Sequence, residues 1–250
     1  MTTGLLLWKE KVPGLRQKSV TLGEKRIFHV RLPCAEVLRE ERTSELTLRR
    51  RMLTAVKRLQ KAGVTHLVLP TDLPEGIHPD RLRLQPVSTV PLRELIAADW
   101  LRLELEKSGQ TGSGRPVAVA APRLTGEVVR TVTELVLRHR YVFLDVPYGM
   151  EEFARRLRRE YGVSLLDGSA PEQLEKAEAL VLFGELRQME TTQSVVLRLA
   201  DEQVPLPAML LPQVLEAQLP KGADRGQLLT VLIQAGVLRP GQLTLSASAT

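Results

Sequence analysis

PVAVAAP at 116–122 and YVFLDVP at 141–147 frame the stretch RLTGEVVRTVTELVLRHR, residues 123–140, whose apolar residues recur at helical spacing. Each flanking run is short, almost wholly apolar and closed by a proline. That pattern suits a strand buried on both faces. A strand, an amphipathic helix and a second strand in succession form a βαβ unit, whose crossover sets the two strands parallel. This reading decides the fold, because the same alternation continues on both sides.

Downstream, the pattern predicts a helix over 149–161, a strand at VSLLDG (163–168), a short helix over 170–177 and strands at ALVLFG (179–184) and SVVLRLAD (194–201). Upstream, SELTLRRRMLTAVKRLQKAG (44–63) has Ser44 as N-cap, Gly63 past its end, and Leu48, Met52, Val56 and Leu59 on one helical stripe. Strands are expected at VTHLVLP (64–70) and PVSTV (86–90), with a helix from Pro91 to Lys107. Nearer the start, KSVTLG and KRIFHVRL flank Gly23-Glu24 and predict an antiparallel hairpin turning there. Four prolines punctuate 205–220, GQLLTVLIQAG (226–236) reads as a short helix, and LTLSASAT is an edge strand or a frayed end.

The expected fold class is therefore α/β: a mostly parallel, Rossmann-like three-layer sheet, with an N-terminal α/β portion containing a β-hairpin. Three segments are expected: a basic α/β portion over 1–108, a Rossmann-like domain over 115–200, and a Pro-rich segment over 201–250 that packs its short helix back on the core. The likeness is to a layout shared by many activities, so it implies no function by itself.

The motif most suggestive of nucleotide chemistry is GQTGSGRP (109–116). Gly109 and Gly114 have the separation of a phosphate-binding loop, but Arg115 and Pro116 stand where lysine and Ser/Thr belong. The order of elements is also reversed, with a helix before the glycines and a strand after them. Amides and a helix N-terminus then cannot converge on a phosphate. The stretch reads as a linker.

A ligand is expected instead at the carboxyl ends of the strands. The first such turn, AAPRLTGEV (120–128), keeps Gly126 alone of the dinucleotide glycine fingerprint, with Pro122 and Arg123 where small residues are needed. Asp145 ends the next strand, 23 positions after Pro122, where an acidic residue would meet a ribose. Asp167 ends the strand after that. Arg123, Asp145 and Asp167 are the candidate cofactor-binding residues, and the cofactor's identity is left open. The alternative is structural: both aspartates close strands before ordinary turns, and Arg123 is a loop residue.

Composition narrows the rest. Cys34 is the only cysteine among 250 residues, which rules out an internal disulfide and a cysteine zinc cage. His29, His66, His78 and His139 form no metal or protease spacing, and no metal site is expected. His139 ends a helix, where a partly charged ring would favour the dipole. No apolar run is long enough for a membrane span, and MTTGLLLWKEKVPG lacks the basic lead of a secretory signal, so a cytoplasmic protein is expected.

Residues 1–110 hold 20 Lys/Arg against 13 Asp/Glu, whereas 111–250 hold 15 against 16. Nucleic acid is nonetheless disfavoured as a partner, since aromatics are only 4% of the chain and stacking platforms are few. EEFARRLRREYG (151–162) reads as a cover helix with Phe153, Leu157 and Tyr161 inward and Glu–Arg pairs at i,i+4 outside. The leading expectation is a non-catalytic binding or interaction module with a degenerate fold of nucleotide type, taking a small molecule, a nucleotide or a protein partner. The alternative is an enzyme with an atypical nucleotide-cofactor site at the same sheet edge.

Overall fold

The structure, a computed structural model, describes residues 2–10, 17–40, 43–73, 84–109, 112, 114–185 and 191–246. The chain divides into two compact units, Met1–Thr89 with Leu211–Gln242, and Val90–Leu210 with Leu243–Thr250. The helices over Val90–Leu95 and Ala97–Lys107 thus join the second unit, and the helix over Arg225–Gln234 joins the first.

The first unit contains β1 (Thr3–Glu10), β2 (Val20–Ile27), β3 (Val30–Arg39), α1 (Glu45–Lys61), β4 (His66–Val68) and β5 (Gln85–Pro86). Its sheet has the order β2-β3-β1-β4-β5 and is parallel except for the β2–β3 hairpin. β1, formed by TGLLLWKE, is a central strand that the sequence pattern does not announce. Pairing on both edges buries Leu5, Leu6 and Leu7, and the chain's start therefore belongs to the core.

The hairpin is present, but its turn is not at Gly23-Glu24. Gly23 pairs with Cys34 inside the ladder, and the chain reverses at Phe28-His29, where Phe28 adopts φ 53°. The ladder carries the strand straight through the glycine, from Val20 opposite Val37 to Ile27 opposite Val30, and both end residues are buried. α1 follows its sequence signals closely. Ser44 accepts a hydrogen bond from the Thr47 amide, and Leu48, Met52, Val56 and Leu59 are all buried in one cluster with Leu6, Val37 and Leu67. Burying each such side chain contributes roughly 1.5–3 kcal/mol.

The second unit carries α2 (Val90–Leu95), α3 (Ala97–Lys107), β6 (Val117–Ala120), α4 (Gly126–Arg138), β7 (Val142–Asp145), α5 (Met150–Tyr161), β8 (Leu166–Asp167), α6 (Pro171–Glu175), β9 (Ala179–Leu182) and β10 (Val195–Arg198). A short antiparallel pair, β11 (Ala208–Leu210) and β12 (Thr244–Ser246), completes it. The main sheet is parallel throughout, in the order β10-β9-β6-β7-β8. Counted from β6, this is the order 3-2-1-4-5 of a Rossmann-like sheet, with the direction of winding reversing between β6 and β9. Every residue of β6 and β9 is buried, so both faces of the sheet are covered.

Two elements differ from their sequence signals. The helix expected over 91–107 is broken at Ile96 into α2 and α3, and the strand expected at 86–90 shrinks to Gln85–Pro86 because the chain already turns helical at Val90. Gly109, Gly112 and Gly114 lie outside any helix, as a linker requires, while Gln110, Thr111 and Ser113 fall outside the described residues. So does the segment 74–83, with His78 and most of the loop after 70. Among the described residues no helix is long and apolar enough to cross a membrane.

Candidate functional site

In a parallel sheet, loops from neighbouring strands meet at the carboxyl edge, and the reversal between β6 and β9 is where they part to leave a crevice. Here that position is closed. The Phe183 amide donates to Ala120 O at 2.9 Å, extending the ladder one residue past the strand ends. Beyond it, Pro122 lies against Gly184, so closely that a Cβ at Gly184 would come within 3.1 Å of Pro122 Cγ. Gly184 has φ +69°, a left-handed conformation that glycine adopts without strain. The glycine at this edge therefore admits the ring of Pro122. Gly126, the one residue of the fingerprint type, has no protein atom within 4 Å of an added Cβ, so no packing contact of the chain depends on it.

Asp145 and Asp167 occupy the next positions along the edge. β7 and β8 pair with Leu144 opposite Asp167, which sets Asp145 one step beyond. Burial pushes the Asp145 carboxyl above the usual carboxylate range, and the charge of Asp167 raises it further. Asp167 is exposed, and its Oδ1 accepts a hydrogen bond from the Ser169 amide at 2.9 Å, a local turn. Gly168 is tightly enclosed: a Cβ there would stand 3.0 Å from Leu144 C and 3.2 Å from the Asp145 N. Among the described residues no group of three or more His, Cys, Asp or Glu is placed to hold a metal ion.

Arg123 is exposed in the loop before α4, and its carbonyl accepts from the Thr125 amide, the turn that starts the helix. Its charge acts on Glu94 of α2. Burial and Glu127 raise the Glu94 carboxyl, while Arg123 and Arg130 oppose them. The structure thus brings the two aspartates together and sets Arg123 beside an acid that no sequence motif singles out. Glu94 lies on α2, far along the chain, and only packing reveals it.

Other candidate groups are spoken for. Burial pushes the Cys34 thiol up to about 11, with Glu36 adding and Lys25 opposing, so it is inert rather than nucleophilic. Burial pushes the His139 imidazole down, holding it neutral where a charged ring was expected to favour the helix dipole.

An opening in the second unit is lined by none of Arg123, Asp145 and Asp167. A cavity of about 580 Å³ runs beside α5, with Leu124, Val129 and Phe153 among its apolar lining and Arg155, Arg156 and Arg159 along it. α5 differs from its sequence reading in two respects. Phe153 and Leu157 are buried but Tyr161 is exposed, and among the described residues no ion pair within 4 Å joins Glu151 or Glu152 to the arginines.

No protein-family model matches the chain, and no curated protein matches it. Chains of known structure that resemble it include L-tryptophan dehydrogenase from Nostoc punctiforme, at 16% identity and a TM-score of 0.27, over 60% of this chain and 44% of that one. D-lactate dehydrogenase with NAD+ from Lactobacillus jensenii resembles it at 13% identity and a TM-score of 0.27, over 62% and 56%. A D-isomer specific 2-hydroxyacid dehydrogenase from Lactobacillus delbrueckii ssp. bulgaricus, in its NAD-complexed form, does so at 14% and 0.23, over 54% and 45%. The matched region spans about half the length of these enzymes. At such scores the likeness carries no argument, and the fold class rests on the strand order and pairing described above.

Proposed function

We propose that this chain is a non-catalytic binding or interaction module of the cytoplasm, built on a degenerate Rossmann-like fold. The observation that carries the reading is the contact of Pro122 with Gly184 at the β6/β9 reversal. A dinucleotide needs its pyrophosphate against bare backbone at that turn, and a proline ring takes the space.

A second reading is favoured by the edge itself. α4 starts beside it with Thr125 as N-cap, and Asp145 ends the second strand of the unit with a raised carboxyl. In that reading Arg123, Asp145 and Asp167 bind an atypical nucleotide cofactor, with Arg123 supplying charge where amides would otherwise serve.

Titration calorimetry with nicotinamide, flavin and adenosine cofactors separates the two. The module reading expects no saturable heat and no rise in melting temperature. Micromolar binding that disappears in Asp145→Ala would establish the cofactor reading in its place.

A further inference from the structure

The groove beside α5 has an origin in sequence. Glu152, Arg155, Arg156 and Arg159 lie at i, i+3, i+4 and i+7, which is one stripe of a helix. All four line the cavity, so the stripe faces the groove rather than open solvent alone. Buried Phe153 and Leu157 anchor α5 beside this stripe, and Phe153 also lines the groove. Arg156 stacks over the Phe153 ring at 5.2 Å, which orients one guanidinium along the groove. Among the described residues, no carboxylate lies within 4 Å of Arg155, Arg156 or Arg159.

Three guanidiniums over an apolar lining have two unmet requirements. Glu152 is the one carboxylate lining the groove against three guanidiniums, which leaves an excess of positive charge, and Leu124 and Val129 line an open surface. One kind of partner meets both: a chain segment carrying carboxylates with apolar side chains between them. The arginine fork takes carboxylates bidentately, which lysine cannot do, and α5 contains four arginines and no lysine. Arg155 and Arg159 stand four residues apart, about 6 Å along the axis. Carboxylates at i and i+4 of a partner helix have that same spacing. Tyr148, next to Gly149 at the start of α5, is 86% exposed, and Tyr with Arg is the composition that concentrates binding energy at protein interfaces. Nucleic acid fits less well, because Phe153 is buried and the single exposed ring of Tyr148 is too little of a stacking platform for successive bases.

We infer that the groove along α5 is a docking surface for an acidic, amphipathic helical segment of a partner protein, held by Arg155, Arg156 and Arg159. This deepens the interaction-module reading and rests on it. The probe is a short fluorescein-labelled helical peptide with Glu at i and i+4 on one face and Leu between them, titrated into the full chain near physiological salt. A Gln-for-Glu version and a duplex oligonucleotide serve as controls.

Saturable binding is expected, weakened about tenfold or more by Arg155→Gln with Arg159→Gln and by the Gln peptide. Amide resonances of Gly149 and Val129 should shift on binding. Glu152→Gln removes the one acidic group of the stripe and is expected to tighten binding, so the test stands even if the double variant loses stability. Absence of saturable binding, equal affinity in the double variant, or tighter binding of the duplex in the same buffer would overturn the inference. Cofactor heats report on the strand ends and peptide shifts on α5, so the two readings can fail separately.

Discussion

The two units handle charge in opposite ways. The first holds the chain's basic excess yet engages much of it: Glu36 faces both Lys9 and Lys25, Glu24 faces Arg31, and Arg51 and Arg58 donate to the carbonyls of Leu38 and Val20. The second unit holds 15 Lys/Arg against 18 Asp/Glu, yet it lines a groove with three arginines that have no carboxylate within 4 Å among the described residues, and it sets Asp145 beside Asp167. Net charge over a stretch of sequence is therefore a poor guide to where an electropositive surface lies. Location on a helix stripe decides that, and counting cannot see it.

Gly168 in the second unit and Gly23 in the first stand in opposite surroundings, and this yields the largest expected effect. Gly168→Ala would drive a methyl group into the backbone of β7, which cannot yield as a side chain could. A loss of about 1–3 kcal/mol is expected in denaturant unfolding. Gly23→Ala in the first sheet meets nothing within 4 Å and should change stability by under about 0.5 kcal/mol. Equal losses at the two positions would erase the contrast.

A smaller effect is expected at Asp145. Its carboxyl is raised in the folded state, so the native protein holds a proton that the unfolded chain has already released. Stability therefore falls as pH rises from the ordinary carboxylate value through the raised one, and the penalty is complete at neutral pH. Asp145→Asn should raise the melting temperature at pH 7 and leave it nearly unchanged near pH 3. A lower melting temperature at pH 7 would mean that the carboxylate makes a favourable interaction at the strand ends.

The smallest effect belongs to the paired charges of the first unit. Glu36→Gln removes the partner of Lys9 and Lys25, but these are partly exposed contacts at 3.9 and 3.3 Å. A loss of about 0–1 kcal/mol is expected, shrinking further in high salt. A larger, salt-resistant loss would show that charge pairing in the first unit is structural.

Much of the second unit was legible because its signals are local. Buried parallel strands must be apolar throughout, and their helices must show a stripe, so PVAVAAP, ALVLFG and the run from 126 to 138 declare themselves. β1 did not, because TGLLLWKE becomes a strand only when β3 and β4 flank it. The turn at Phe28-His29 was masked by the better turn residues at Gly23-Glu24, which the register overrides. At the candidate site, the placing of Asp145 and Asp167 at the carboxyl edge followed from their positions at the ends of successive parallel strands. The contact of Pro122 with Gly184 did not, since it joins residues 62 positions apart in the chain.

By itself the sequence determined the α/β class, the parallel sense of the later strands, and the absence of a phosphate-loop or dinucleotide fingerprint. Those properties depend on residue type and near-neighbour spacing, which the chain carries wherever it folds. Tertiary structure alone decided the strand order, the closing of the β6/β9 crevice, the raised carboxyl of Asp145 and the open arginine groove on α5. Each of these depends on which distant groups share a dielectric environment and a volume, and that is fixed only when the sheet assembles.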